Sequence, residues 1–351
     1  MKKILFISII ALFVVKAQFA QDTQEKPTVN TEDAKLANKL YNESLKLYDE
    51  EKYLEGINLL NKAIRLRPDF DKAFYNRSCM YLQANRLDEA IADLNAALEI
   101  RPSAEYYTAR GYVYLIKKDF SNGYADFSKA IEYDGDFAAP YFYRGSLLAE
   151  QKRYKEAITD FDRAIQLKPD YAIAYNERGN VKFLQMDYAG AEADLTRAVT
   201  FDPSLAVSFN NLGKVKEKQN ELEAAEENFT AALKIDPGFY EAYNNRGNIK
   251  YLNNNYEDAI ADYNTALDIQ SSYTGALNNR GLARYMTGDL PGAIADFTAA
   301  LMQDPNYAEA YLNRGIVKEM QRDVKGACSD WKKAMDAGNT GAGTYVNNQC
   351  Q

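Results

Sequence analysis

Residues 172–205 read AIAYNERGNVKFLQMDYAGAEADLTRAVTFDPSL, and this stretch decides the fold. Apolar residues recur at helical spacing over 172–184 and again over 188–200, with Met186-Asp187 between the two runs. Pro203 closes the unit, because proline cannot continue a helix. The pattern predicts two helices joined by a tight turn. Three small residues mark the unit: Gly179, Ala191 twelve positions on, and Ala198 seven beyond that.

The same marks return along most of the chain. Ser44, Ser78, Gly111, Gly145, Gly213, Gly247, Gly281 and Gly315 repeat the first mark in steps of 34, with a single step of 33. Gly56, Ala90, Gly123, Ala157, Ala225, Ala259, Ala293 and Ala327 repeat the second. The third is alanine throughout, from Ala63 to Ala334. A strict period of this length means stacked helix pairs that share one continuous core, so an all-α solenoid of about nine units is expected. Small residues are expected where two backbones come close. Tyr141, Tyr175, Tyr243 and Tyr311 on first helices, with Phe161, Leu195, Tyr263 and Trp331 on second helices, then fill the space around them.

The 34-residue helix pair with Gly, Ala, Ala and Pro in this register resembles the tetratricopeptide repeat, over about residues 37–341. The resemblance implies a right-handed superhelix whose first helices line a concave groove. It names no ligand, because the fold serves many partners. Residues 342–351 read as a C-terminal cap, with a short helix over 342–349.

Composition narrows the function classes. The chain has no histidine, which removes Ser-His-Asp and Cys-His constellations, His-ligated zinc and the usual general base near pH 7. Cys79, Cys328 and Cys350 are too few for a four-thiolate metal site. The net charge of −8 lacks the basic footprint of nucleic-acid binding. Acids are plentiful, but most recur with the repeat and so serve the fold, which argues against a two-carboxylate glycosidase. No enzyme, cofactor or metal is expected.

Arginine precedes the first small mark at Arg77, Arg110, Arg144, Arg178, Arg246, Arg280 and Arg314. Aspartate follows sixteen residues later at Asp93, Asp126, Asp160, Asp194, Asp262, Asp296 and Asp330. Repeat six has Leu212 and Asn228 instead, so the two partners disappear together. Ion pairs inside each repeat are therefore expected, with Arg–carboxylate geometry locking its two helices.

The two positions before each arginine are rich in asparagine: Asn176, Asn210 with Asn211, Asn244 with Asn245, Asn278 with Asn279, and Asn313. A helix interior disfavours asparagine, and an amide can bracket a peptide unit, so either a ligand contact or a packing role is expected. The stretch looks like the asparagine ladder by which some tetratricopeptide proteins hold an extended peptide, strongest over 206–315. Asn248, Tyr251 and Tyr285 would flank that groove. On this reading an Asn244/Asn278 double alanine variant loses ligand and keeps its melting temperature. The groove positions carry Glu105, Glu217, Glu241, Glu309 and Glu319 against Lys72, Lys214 and Lys218, so a neutral-to-basic partner segment is expected.

Lys2 and Lys3 lead the apolar run Ile4–Val15, which spans about 18 Å as a helix against a ~30 Å hydrocarbon core. Residues 1–17 read as a secretory signal peptide cut after Ala17, with Ala20 as the second choice, and residues 18–36 as a flexible leader. No transmembrane anchor then remains, and the mature chain carries three fewer positive charges. Export favours a Cys328–Cys350 disulfide, which an antiparallel cap helix would allow. Together these readings predict a non-catalytic protein-interaction scaffold in a gram-negative periplasm, with outer-membrane association or secretion as alternatives. The rival reading is a self-assembling or glycan-binding envelope component.

Overall fold

A computed structural model describes residues 31–350, so the expected signal peptide lies outside the described residues. Among the described residues every regular element is a helix. They run α1 (Thr31–Asp49), α2 (Tyr53–Leu66), α3 (Asp71–Gln83), α4 (Leu87–Ile100), α5 (Ala104–Ile116), α6 (Phe120–Tyr133), α7 (Ala138–Glu150), α8 (Tyr154–Leu167), α9 (Ala172–Leu184) and α10 (Tyr188–Phe201). There follow α11 (Ala206–Lys218), α12 (Leu222–Ile235), α13 (Tyr240–Leu252), α14 (Tyr256–Ile269), α15 (Thr274–Met286), α16 (Leu290–Gln303), α17 (Ala308–Met320), α18 (Val324–Asp336) and α19 (Ala342–Gln349). The all-α solenoid of helix pairs is thus what the period specifies.

Helix α1 begins at Thr31, inside the stretch 18–36 expected as a leader. Glu32 and Asp33 suit the positive end of a helix dipole, and Ala37 is buried, so the last residues of that stretch belong to the first pair.

The chain divides into two compact units, one up to Val181 and one from Lys182, the division falling within α9. In each unit the helices of a pair pack together, and each second helix packs on the next first helix. First helices also touch one another, α5 on α7 in the first unit, and α11, α13, α15 and α17 in succession in the second. First helices therefore take the inner side of each unit.

The first small mark is kept small by a ring rather than by an opposing backbone. A Cβ built on Gly247 would lie 2.7 Å from Tyr263 Cε1, and one on Gly281 2.7 Å from Phe297 Cε1. Tyr263 and Phe297 are buried there, each ring contributing about 2–3 kcal/mol of apolar burial. The polar tip of Tyr263 is satisfied, since its hydroxyl donates to Asn248 Oδ1 at 2.9 Å.

Helix ends follow local chemistry. Asp119, Asp187, Asp289 and Asp323 cap second helices by accepting from the backbone N–H three residues on, at 2.9–3.2 Å. The turn inside each pair places one residue in the left-handed region: Glu51, Asn85, Lys118, Lys152, Met186, Asn220, Asn254, Gly288 and Arg322. Only one of these is glycine and three are asparagine, so the other five carry no local mark of the turn geometry. Lys152 has φ 62°. Lys152→Gly is expected to raise stability by about 0.5 kcal/mol in a urea titration, because a left-handed penalty of roughly 1–2 kcal/mol exceeds the ~0.5–1 kcal/mol entropic cost of glycine.

Candidate protein-binding face and its supporting ladders

Each ladder arginine sits on a first helix and each aspartate on the second helix of the same pair. Arg77, Arg110 and Arg144 in the first unit, and Arg246, Arg280 and Arg314 in the second, send Nε and Nη2 to the two oxygens of their aspartates. All these contacts are 2.6–2.9 Å. These bidentate forks involve carboxylates that are almost wholly buried, from 2% exposed at Asp330 to 6% at Asp93 and Asp160. The hydrogen bonds of Asp262 favour the charged Arg246 guanidinium. Burial pushes the Asp93 carboxyl up, against the pull of Arg77.

The remaining nitrogen of each fork reaches the second helix of the preceding repeat. Nη1 of Arg77, Arg110, Arg144, Arg246, Arg280 and Arg314 donates to Asn61, Asn95, Ser128, Thr230, Asn264 and Thr298 at 2.6–3.2 Å. One guanidinium thereby joins three helices and sets the register of neighbouring repeats. In repeat five Arg178 donates to Asp162 at 2.5 Å, and Lys182 meets Asp194 at 2.7 Å.

A second row of cations escaped the sequence reading. Lys250, Arg284 and Lys318, one turn after the ladder arginines, meet Asp262, Asp296 and Asp330 at 2.8–2.9 Å. Their 34-residue spacing was the available signal. The corresponding first-unit positions are Tyr81, Tyr114 and Leu148. In repeat six, Lys216 instead meets Glu192 and Glu221, and Leu212 is buried where the arginine would stand.

The asparagines form a chain between repeats. Asn245 Nδ2 donates to Asn210 Oδ1 at 2.9 Å, Asn279 to Asn244 at 3.0 Å, and Asn313 to Asn278 at 3.0 Å. Asn279 also donates to Asn248 at 2.9 Å. Asn176, Asn210, Asn244 and Asn278 are buried, between 1% and 6% exposed. The expectation that these four contact a peptide is therefore corrected: helix packing closes over them, and their amides serve the frame. The double alanine reading is corrected with it. Asn278→Ala alone is expected to lower stability by about 1–2 kcal/mol, since the Asn313 amide loses its acceptor. Thermal melting of the single variant checks this.

Half-buried Asn211, Asn245, Asn248, Asn279 and Asn313 remain at the first-helix surface, with Tyr251 and Tyr285. Leu252, Met286 and Met320 end α13, α15 and α17, each about half exposed. The second unit thus offers an amide row beside an apolar row. The first unit differs: Ala109 and Tyr143 replace the amides, and a small apolar recess lies among Tyr75, Cys79, Leu82, Ala109 and Tyr112.

Glu177 interrupts the amide row and is 6% exposed. Asn176 Nδ2 donates to its Oε1 at 3.1 Å, while Oε2 has no hydrogen-bond partner among the described residues. Burial pushes this carboxyl up to about 7, with Asn176 pulling the other way.

Cys328 and Cys350 form a disulfide, with Cα atoms 5.6 Å apart. Cys79 is free, and burial pushes its thiol up to about 12, which leaves it protonated and inert.

Stacked helix pairs with a ladder-braced inner face define a helical-repeat interaction scaffold. Family models described as "Tetratricopeptide repeat" match residues 41–105, 104–137, 206–239, 228–261 and 276–341, and one described as "TPR repeat" matches 145–185 and 247–288. The chain belongs to the tetratricopeptide repeat family, whose members are protein–protein interaction scaffolds. It is similar to tetratricopeptide repeat protein 13 of Homo sapiens, 31% identical over 24% of this chain and 10% of that protein. It is also similar to the Hsp70-Hsp90 organizing protein of Triticum aestivum, 26% identical over 29% of this chain and 18% of that one. The chain thus spans less than a fifth of the length of these curated relatives. A crystal structure of the APC/C hetero-tetramer Cut9-Hcn1 shares the fold at TM-score 0.61, 17% identical, covering 79% of this chain and 55% of that one.

Proposed function

We propose that this chain is a non-catalytic scaffold of the cell envelope, exported to a gram-negative periplasm, that holds an extended, neutral-to-basic protein segment along α11, α13, α15 and α17. The observation that carries the reading is the half-exposed row Asn245, Asn279 and Asn313, held at one spacing by the buried asparagines behind it. Each such amide is only half-buried; Asn245 and Asn313 spend one N–H on the neighbouring repeat and Asn279 spends both, so a peptide unit would pair with the capacity that is left. Leu252, Met286 and Met320 lie further along the same helices and suit apolar side chains of the bound segment. The name of one similar protein, the Hsp70-Hsp90 organizing protein, supports a scaffold role.

A photo-crosslinking residue placed at Leu252 or Met286 in living cells tests the face, with Glu227 on a second helix as the control; all three side chains are exposed. The reading requires a discrete protein adduct from the first two positions and none from Glu227. Equal adducts from all three, or an adduct from Glu227 alone, would move the working surface elsewhere. Fractionating the same cells checks the envelope location.

A further inference from the structure

Among the described residues, the reach-back of the ladder arginines fails at one joint. Neighbouring repeats are tied by Arg77 to Asn61, Arg110 to Asn95, Arg144 to Ser128, Arg178 to Asp162, Arg246 to Thr230, Arg280 to Asn264 and Arg314 to Thr298. Between repeats five and six the 34-residue spacing requires a donor at position 212 and an acceptor at Thr196, and residue 212 is leucine. Leucine has nothing to donate, so this brace is missing between α11 and α10.

What replaces it is of a different kind. Leu212 packs with Ala191, Leu195 and Val215, an apolar contact without direction. Leu195 stands where Phe229, Tyr263 and Phe297 stand in later repeats, so the apolar plug is smaller as well. Lys216 holds the place that Lys250 holds in repeat seven, but Asn228 offers it no charge there. It turns back instead to Glu192 on α10 at 2.6 Å, with Gln219 Nε2 on the other carboxylate oxygen at 2.8 Å. Glu221 shares the same ammonium at 2.8 Å. The Glu192 side chain is 34% exposed, against 6% for Asp262 under its fork. An ion pair on an exposed carboxylate contributes little and is screened by salt, whereas the buried forks are shielded from it. The Gln219 side-chain carbonyl is buried with no hydrogen-bond partner among the described residues, which weakens the joint further.

We propose that the array parts at this joint: α10 and α11 belong to different cooperative steps of opening, and salt sets how far apart those steps lie. In a stack of repeats each unit is held by its neighbours, so one weak interface divides the opening in two. The joint stands at the start of the row α11, α13, α15 and α17, and it acts whatever that row binds.

Hydrogen exchange of the full chain, with its disulfide intact, resolves this helix by helix. At about 1 M sodium chloride the amides of α10 and α11 are expected to differ in protection by about tenfold or more, with no such difference between α12 and α13 or between α14 and α15. Lowering the salt to about 0.05 M should shrink the difference several-fold. Glu192→Gln should show the high-salt difference at both concentrations. Leu212→Arg with Asn228→Asp restores a fork and a donor for Thr196, and should bring α10 and α11 within about twofold of each other. Circular dichroism checks that this double variant keeps its helices. Equal protection of α10 and α11 at high salt would overturn the parting point, as would a difference that persists in the folded double variant. Should that variant not fold, Glu192→Gln decides: a difference that still responds to salt in it removes the rim pair as the brace, and the inference with it.

Discussion

Arg77→Leu is expected to lower folding stability by about 3–5 kcal/mol, among the largest effects of any single substitution in this chain. Arg77 donates twice to Asp93 and once to Asn61, and Asp93 is 6% exposed. Removing the guanidinium leaves a buried carboxylate with no cation in its place, because the position one turn later is Tyr81. Arg77→Leu with Asp93→Leu should recover most of the loss, since an apolar pair needs no counter-charge. Repeat six carries an uncharged pair in these positions, Leu212 with Asn228, whose amide donates to Ala224 O. Arg246→Leu should cost less, about 1–2 kcal/mol, because Lys250 still meets Asp262 at 2.8 Å. Urea titrations of the four chains decide the matter. A double variant no more stable than Arg77→Leu would show that the pairing does not set the cost.

Glu177→Gln is expected to stabilise the chain by about 3 kcal/mol at pH 8 and to leave it almost unchanged near pH 4. Burial raises the Glu177 carboxyl to about 7, whereas an unfolded glutamate titrates near ~4.3. The folded state therefore holds the proton more tightly. That contribution is fully present below the unfolded value, falls as pH rises between the two, and is gone above about 7. Glutamine is neutral throughout and offers Asn176 the same carbonyl acceptor. The difference between wild type and variant isolates this one group from all other titrations. A difference that stays flat from pH 4 to 8 would show that Glu177 is ionised and solvated in the folded chain.

Much of this was legible in the residues because repetition multiplies every signal. Gly179, Ala191 and Ala198 would mean little alone, but nine copies in one register specify helix pairs and their turns. Helices α9 and α10 fall within one residue of the runs 172–184 and 188–200. The sixteen-residue Arg–Asp spacing is a fold-level distance, since it carries a side chain from one helix of a pair to the facing point on the other. Left-handed residues such as Lys152 and Met186 left no mark, because the turn imposes their conformation and most are not glycine. The cations Lys250, Arg284 and Lys318 were missed because the row is confined to the later repeats, with Tyr81, Tyr114 and Leu148 at the same position in earlier ones.

The sequence by itself determined the class of fold, the pairing of helices and the residue types at each repeated position. All of these follow from local periodicity and from size constraints between neighbours in the chain. Tertiary structure alone decided which asparagine of each pair faces inward, because one helical step of about 100° separates Asn244 from Asn245, and only packing against the adjoining repeat tells which of them is enclosed. It likewise decided that each arginine reaches back to the preceding repeat, a contact between residues such as Arg246 and Thr230 that exists only once two repeats are stacked. Buried amides and forks are set by what lies on the far side of the helix, and that neighbour is a matter of three dimensions rather than of sequence.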